Sequence, residues 1–133
     1  MKRDLKGSLA IDSGVIISIL HGEYDEIFRN IREGKIEPII NIINLIEVYY
    51  VLCKHKGWEK ATNIIKNLIN SNYFKIVYVN DMIVEEISKC KCEYPISLGD
   101  CASIATARAN KTKAIFRREK ELEGLNLDEI ILI

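Results

Sequence analysis

The sequence predicts an α/β fold, a three-layer α/β/α sandwich built around a central, mainly parallel sheet. Short apolar runs, several of them rich in β-branched residues, alternate along the chain with longer segments of helical spacing. Strands that are separated by helices favour parallel pairing with right-handed crossovers. The segment 97–110 also carries Ala102, Ala105 and Ala109, small residues that would let a helix lie close against such a sheet.

The first half of the chain is predicted to contain two strands and three helices. In chain order these are strand 8–12, a helix from 13 or 14 to 21, helix 24–32, strand 35–40 and helix 42–55. Gly34 closes the second helix, and Pro38 would suit the end of its strand or an irregular connection, because proline donates no backbone hydrogen bond. The run INLIEVYYVL is apolar nearly all round, which predicts a buried helix.

The second half is predicted to contain three helices and three strands. In chain order these are helix 58–69, strand 74–79, helix 82–89, a helix within 97–110, strand 114–116 and strand 129–133. Asp81 is the expected N-cap of the helix that begins at Met82. Pro95 marks a break before the next helix, since the residue before a proline disfavours helical geometry.

Length and charge bound the class of protein. A chain of 133 residues can bury one core without disulfides or structural metal, so residues 1–133 are expected to form a single domain. Nineteen basic and nineteen acidic residues cancel, so binding of a polyanion requires a local patch. The charged start MKRDLKG precedes no signal-peptide cleavage pattern, and the apolar run 15–20 is too short to span a bilayer. We therefore expect a cytoplasmic protein without a membrane segment.

The four cysteines are expected to be mostly small core residues. Only Cys90 and Cys92 are close in sequence, and their C-x-C spacing lacks the second Cys or His pair of a structural zinc site. Cys53 and Cys101 stand alone, and a disulfide framework would require a secretory context.

Four acidic residues are predicted to meet at one edge of the sheet. Asp12 ends the first strand, Glu47 lies in the first turns of the helix after the second strand, and Glu119 follows the fourth strand. Asp100 lies near the start of the helix that runs back to begin that fourth strand. Parallel strands share one carboxyl edge, where ligands of open sheets collect, and carboxylates gathered there repel one another unless a cation lies between them. All-oxygen ligands suit Mg²⁺ or Mn²⁺ better than zinc.

Each acid also has an ordinary structural explanation. Asp12 could simply cap the following helix. The sequences NLIE and SLGD both resemble capping boxes, and the second is the better match because serine is a preferred cap. Glu119 could be a solvated surface charge. Glu47 is the hardest to explain in this way, because it is the only charge between Glu37 and Lys54 and interrupts an apolar helix, where an unpaired carboxylate is costly.

Four motifs follow one another along the chain: IDSGVIISIL, NLIEVYYVL, LGDCASIATARAN and AIFRREKEL. In this order and spacing they resemble the PIN domain, most closely the small VapC-type toxins of prokaryotic toxin–antitoxin pairs. The resemblance covers nearly the whole chain. It implies a metal-dependent ribonuclease acting on RNA, a partner antitoxin whose tail occupies the site, and a homodimer. The segment 16–20 and the helix around Tyr49 and Tyr50 could supply contact surface.

The resemblance implies that Asp12, Glu47 and Asp100 are the catalytic acids. Together with Glu119, directly or through water, they would hold one or two Mg²⁺ or Mn²⁺ ions that bind a scissile RNA phosphate and lower the pKa of an attacking water. Hydrolysis would then need no protein nucleophile, and neither histidine of the chain is predicted to lie near the acids.

The residues beside the acids follow the family pattern in part. Ser13 corresponds to the hydroxyl residue after the first Asp and is expected to support the metal ligands by hydrogen bonding. Asn44 stands where the family usually has Ser or Thr, and it can still cap. In the fourth motif, Arg117 replaces a small hydroxyl residue and Glu119 replaces Asp.

A cluster of basic residues accompanies the fourth motif. Between residues 108 and 120 the chain carries six basic residues against a single acid. Arg117, Arg118 and Lys120 of this cluster are the predicted RNA-binding residues, through contacts to phosphate. The alternative is an ordinary solvated turn and helix surface.

Two other enzyme or signalling classes place an acid at the end of the first strand. A haloacid dehalogenase-like phosphatase requires a second acid two residues further on, where this chain has Gly14. A phosphoacceptor receiver domain requires an acidic pair after the first strand and a lysine after the last, and the sequence has neither. The remaining alternative is a PIN-like domain without turnover, acting as a binding or scaffold module, which Arg117 in the fourth motif keeps open.

Overall fold

The computed structural model describes residues 5–133, so the first four residues of the charged start MKRDLKG lie outside the described residues. The strands within this range are β1 (Gly7–Ile11), β2 (Ile36–Asn41), β3 (Lys75–Val77), β4 (Lys113–Phe116) and β5 (Ile130–Leu132). The helices are α1 (Ser13–Leu20), α2 (Asp25–Arg32), α3 (Ile42–Lys56), α4 (Trp58–Asn70), α5 (Asp81–Glu93), α6 (Leu98–Ala109) and α7 (Lys120–Glu123).

The five strands form one parallel sheet in the order β3-β2-β1-β4-β5. β1 is the central strand, and Ala10 pairs with Ile39 of β2 on one side and with Ala114 of β4 on the other. All carboxyl ends therefore lie at the same edge, as the alternation of strands and helices predicted. Pro38 lies inside β2 rather than at its end. It is tolerated where β2 has a neighbour on one side only, because β3 pairs with β2 only from Ile39 onward.

A hydrophobic core lies on each face of the sheet, which confirms the three-layer architecture. Side chains alternate along β1, so that Leu9 and Ile11 contact the core beneath α1 to α4, while Ala10 contacts the core beneath α5 and α6. The second core is built with small residues, among them Ala102 and Ala105, so α6 packs close to the sheet. Ala109 was expected to join them but is exposed at the last turn of α6.

The helix α3 differs from its prediction, because it is not buried all round. Leu45, Val48 and Leu52 are buried against α1, α4 and β2, whereas Ile46 is 59% and Tyr50 is 48% exposed. The apolar run therefore consists of an ordinary core face and a second apolar face that is open to solvent. No helix of residues 5–133 is long and apolar enough to cross a membrane.

Several helix ends also differ from their predictions. Asn80, not Asp81, caps α5, because its side-chain oxygen accepts a hydrogen bond from the amide of Ile83 at 2.9 Å. The short helix α7 was not predicted, since a four-residue helix leaves no periodicity to detect. Cys90 and Cys101 are core residues as expected, whereas Cys92 is exposed on α5.

A buried polar link joins the two layers where β2 passes into α3. Asn41 caps α3 through the amide of Ile43 at 2.9 Å, and its Nδ2 donates to the hydroxyl of Thr106 on α6 at 3.0 Å. Thr106 in turn donates to the carbonyl of Ala102 at 2.8 Å, so every group in the link has a partner. The link fixes the start of α3 relative to α6 at the carboxyl edge of the sheet.

We predict that Asn41→Ala lowers the free energy of unfolding by about 2–3 kcal/mol, because it removes a helix cap and leaves a buried hydroxyl without its donor. The matched control is Asn80→Ala, which removes only an exposed cap and is expected to cost about 1 kcal/mol. Urea denaturation of both variants measures the difference. Equal losses would show that the link between α3 and α6 adds nothing.

Candidate active site: an acidic cleft at the carboxyl edge of the sheet

A cleft of about 470 Å³ opens at the carboxyl edge, beside the starts of α1, α3 and α6. All four acids that the sequence predicted to meet there line it. A fifth carboxylate, Glu121 of α7, lines it as well and was missed because α7 was not predicted. The acids of the cleft are Asp12, Glu47, Asp100, Glu119 and Glu121.

Asp12 lies at the junction between β1 and α1, where it is only 8% exposed. It caps α1, its Oδ2 accepting a hydrogen bond from the amide of Gly14 at 3.4 Å. Its other oxygen, Oδ1, accepts from the hydroxyl of Ser103 at 2.8 Å and from Nδ2 of Asn44 at 3.5 Å. The cap and the cleft-lining position therefore occur together in one side chain, and the two explanations offered for it do not compete.

Asn44 supports Asp12 but does not cap a helix. The N-cap of α3 is Asn41, so the capping box suggested for NLIE is wrong. Asn44 lies one turn into α3, where its Nδ2 also donates to the carbonyl of Gly99 at 3.0 Å. Its Oδ1 is buried and has no hydrogen-bond partner among the described residues. The side chain thus joins α3, α6 and Asp12, and one polar oxygen remains without a donor.

Ser103 was not predicted as a site residue. It lies on α6 three positions after Asp100 and is 1% exposed. Residues three apart share a helix face, so the spacing from Asp100 was the signal that could have found it. A serine within an alanine-rich helix is also easily taken for a packing residue, which is why the motif alone did not reveal it.

Glu47 lies on the wall of the cleft formed by α3 and is half-buried. Burial raises its pKa, a hydrogen bond from Ser13 lowers it, and Asp100 raises it. Gly99 packs directly against this carboxylate, because a Cβ built on Gly99 would overlap Oε1 and lie 3.0 Å from the carboxyl carbon. The carboxylate of Glu47 can therefore occupy this position only because residue 99 has no side chain.

Asp100 lies opposite, in the first turn of α6. It forms the predicted capping box with Ser97. The backbone amide of Asp100 donates to Oγ of Ser97 at 3.0 Å, and Oδ2 of Asp100 accepts from the backbone amide of Ser97 at 3.4 Å. Burial raises the pKa of Asp100, the bonds from Ser97 lower it, and Glu121 raises it. The fifth acid is therefore coupled to this side of the cleft.

The fourth motif, AIFRREKEL, begins in β4 and continues past the end of that strand into α7. Glu119 lines the cleft as the N-cap residue of α7, although its side chain caps nothing. Arg117 is exposed, and its aliphatic stem lies beside Gly14, which lines the cleft, although Arg117 itself does not line it. Arg118 is directed elsewhere and lies 3.8 Å from the carboxylate of Glu123. Lys120 is exposed at the start of α7 and does not line the cleft.

The larger basic cluster around the fourth motif does not form one patch. Lys111 and Lys113 line a separate cavity at the opposite edge, beside the amino ends of β1 and β4. Arg108 is paired with Glu129 at 2.8 Å, and this pairing lowers the pKa of Glu129. Cations that are close in sequence therefore lie at opposite ends of the four-residue strand β4. Of these, Arg117 lies beside a residue of the acidic cleft, Gly14.

The cleft concentrates negative charge that the fold does not neutralise. Burial, with Asp100 and then Glu47 nearby, raises the pKa of Asp12 to about 7, although Ser103 and the amide of Gly14 lower it. No three His, Cys, Asp or Glu side chains of residues 5–133 are already placed as a metal-binding group. The donor set nevertheless fits a hard divalent cation, because every acidic donor is an oxygen and a cation would relieve the repulsion that raises these pKa values.

Fold and cleft together define an α/β protein with a carboxylate site at the carboxyl edge of a parallel sheet. The family model of the PIN domain matches residues 9–126, which is most of the chain. The protein therefore belongs to the PIN domain family. No curated protein matches it.

Solved structures show the same fold. The chain is similar to VapBC2 of Rickettsia felis bound to a promoter DNA fragment, with a TM-score of 0.73, 14% identity, and coverage of 96% of this chain and 98% of that one. A toxin–antitoxin complex from Klebsiella pneumoniae gives 0.67 at 20% identity, covering 92% and 95%. The sarcin–ricin loop cleaving toxin VapC20 of Mycobacterium tuberculosis gives 0.65 at 14% identity, covering 80% and 86%.

We predict that stability without metal falls as pH rises, because of Asp12. Its pKa is about 7 in the fold and 3.8 ordinarily, so the stability that protonated Asp12 contributes is present below about pH 4 and is lost as pH rises through 7. In chelator, wild type should lose roughly 2–4 kcal/mol relative to Asp12→Asn between about pH 4 and 8. Urea denaturation at several pH values measures this, and parallel profiles for the two proteins would contradict it.

We also predict that Gly99→Ala weakens binding of Mn²⁺ by about tenfold, because its methyl group would displace the carboxylate of Glu47. The unfolding free energy should change by less than about 1 kcal/mol, since the flexible end of Glu47 can move aside. Gly14→Ala is the matched control in the same cleft, where an added Cβ meets only ordinary contacts, the nearest at 3.5 Å. Titration with Mn²⁺ compares the three proteins, and equal affinities would be the contrary result.

Proposed function

We propose that this protein is a metal-dependent endoribonuclease, the toxin of a VapBC-type toxin–antitoxin pair. It hydrolyses phosphodiester bonds of RNA at the acidic cleft, with Mg²⁺ or Mn²⁺ as cofactor. The observation that carries the proposal is the gathering of five carboxylates in one cleft, with the pKa of Asp12 raised to about 7. Membership of the PIN family and the similarity to VapBC structures support it.

Asp12, Glu47 and Asp100 would hold the cation, with Glu119 contacting it directly or through water. Their oxygen donors and mutual repulsion suit such an ion. When bound, the ion supplies a Lewis acid that lowers the pKa of an attacking water and offsets charge on the phosphate. Glu121, which is coupled to Asp100, adds negative charge on the same side.

The surrounding residues prepare the acids for this role. Ser103 and Asn44 both donate to Oδ1 of Asp12, which fixes the orientation of the carboxylate and favours its charged form. Ser13 does the same for Glu47, and the Ser97 capping box holds Asp100. Because the proposed nucleophile is a water, the part of the chain's own residues is to bind and orient the reacting groups and to take up the proton.

The end of the basic cluster supplies the proposed contacts to the substrate. The proposed RNA-binding residues are Arg117, Arg118 and Lys120. All three are exposed, and they lie next to the cleft residue Glu119 in sequence. Their contacts would be to phosphate, because the long cationic side chains of exposed residues read charge rather than base identity.

We further propose a cognate antitoxin and a homodimer as partners, and the cytoplasm as the place of action. The similar structures from Klebsiella pneumoniae and Rickettsia felis are toxin–antitoxin complexes. The second apolar face of α3, with Ile46 and Tyr50 exposed, offers contact surface of the kind that oligomers bury. Light scattering of the purified chain tests the homodimer, and a monomeric mass at micromolar concentration would rule it out.

The alternative is a PIN domain without turnover that serves as a binding or scaffold module. The feature that favours it is Arg117, a large cation in the fourth motif next to the acids. A scaffold would fold and associate normally but cut no RNA with any divalent cation.

We predict that purified wild type cleaves RNA with Mn²⁺ or Mg²⁺, and that chelator abolishes cleavage. Asp12→Asn should lower the rate at least about a hundredfold, because it removes the charge at the centre of the donor set. Gel analysis of transfer, ribosomal and messenger RNA digests measures this.

The matched control is Asp128→Asn, an exposed acid that lines the cavity at the opposite edge and should leave the rate unchanged. Circular dichroism confirms that both variants fold. If folded wild type leaves every RNA intact with either metal, the scaffold function replaces the nuclease.

A further inference from the structure

We infer that Arg117 is a catalytic residue that contacts the phosphate undergoing cleavage, and that the adjacent Arg118 is not. This inference rests on the proposed nuclease function and assigns one of its three candidate cations to the reacting group. The juxtaposition that supports it is the position of the Arg117 side chain beside the same glycine that flanks Asp12.

The side chain of Arg117 lies beside Gly14, a residue that lines the cleft and whose amide bonds to Asp12. A Cβ built on Gly14 would lie 3.5 Å from Cδ of Arg117, 3.9 Å from Cγ, and 3.7 Å from Oδ2 of Asp12. The stem of Arg117 and the carboxylate of Asp12 therefore flank one backbone position. Arg117 is exposed whereas the preceding Phe116 is buried, so its side chain is open to solvent at this position.

The neighbouring cations are arranged differently. The amide of Arg118 donates to the carbonyl of Ile133 at 3.2 Å, and its guanidinium lies 3.8 Å from Glu123. It lines a small cavity with Leu122 and Leu132, on the side away from the acids. In contrast, no ion pair engages Arg117 in the described part of the chain. One arginine of the pair is thus occupied, and the other is available to a ligand of the cleft.

The chemistry of the guanidinium suits a phosphate at this position. Arginine is always charged and presents a planar fork of donors that binds two phosphate oxygens at once. A phosphate held beside Asp12, at the cation that the carboxylates would bind, would come within reach of that fork. Negative charge on the phosphate oxygens redistributes during attack by water, and a fixed cation next to them stabilises the transition state more than the ground state.

The test compares Arg117→Met with Arg118→Met, which removes the same charge one residue away, and with Arg117→Lys. Steady-state cleavage with Mn²⁺ gives kcat and KM on an RNA that wild type cuts. Arg117→Met is expected to lower kcat by roughly 10- to 100-fold with KM changed less than about threefold. Arg117→Lys should recover part of the loss. Arg118→Met, which removes a proposed RNA contact away from the reacting group, should raise KM and leave kcat within about threefold of wild type.

Equal effects of the two methionine variants, no effect of Arg117→Met, or a change confined to KM would overturn the assignment. Thermal midpoints within a few degrees of wild type show that these exposed substitutions leave the fold intact. If wild type cuts no RNA, the nuclease function has failed, and the inference is judged on binding instead. Fluorescence anisotropy with single-stranded RNA and Ca²⁺ then supports a phosphate contact if Arg117→Met weakens binding by about two- to threefold, and overturns it if Arg117→Met binds like wild type.

Discussion

The buried carboxylate of Asp12 is the constraint on which the site depends. A charged oxygen at the end of the central strand is costly unless several donors reach it, and the donors come from three separate elements. The backbone amide of Gly14 comes from α1, the side-chain amide of Asn44 from α3 and the hydroxyl of Ser103 from α6. The starts of α1 and α3 and the first turns of α6 therefore have to converge at one point, which is what shapes the cleft.

The same convergence leaves the site short of positive charge. Hydrogen bonds from neutral donors lower the pKa of Asp12, yet burial and the neighbouring acids outweigh them and leave it near neutrality. The fold therefore holds its acids in an arrangement that is unfavourable by itself and becomes favourable when a cation binds. Electrostatic repulsion that destabilises the unliganded fold is typical of functional sites, where local stability is lower so that a ligand can bind.

The sequence was informative wherever a feature depends on local pattern. Alternating strands and helices specify a parallel sheet, and a parallel sheet brings the ends of strands and the starts of helices to one edge, so Asp12 and Glu47 could be placed together from sequence alone. Features that depend on tertiary geometry could not be placed. The contact of Ser103 with Asp12 depends on the rotation of α6 about its axis, and the pairing of Arg118 with Glu123 depends on the path of the chain after β4. The exposed face of α3 could be predicted only by knowing which elements cover that helix.

Neutral net charge is compatible with a polyanionic substrate because the fold segregates its charges. Arg108 is neutralised by Glu129, and Lys113 lies at the far edge of the sheet, so the basic cluster of the sequence does not act as one surface. The acids, in contrast, are collected in one cleft, and Arg117 lies beside Gly14, which lines that cleft. A polyanion would be repelled by the acids alone. A divalent cation among them reverses the local sign, and an arginine beside them then adds attraction at the same point, so electrostatics would make binding of the substrate depend on prior binding of the metal.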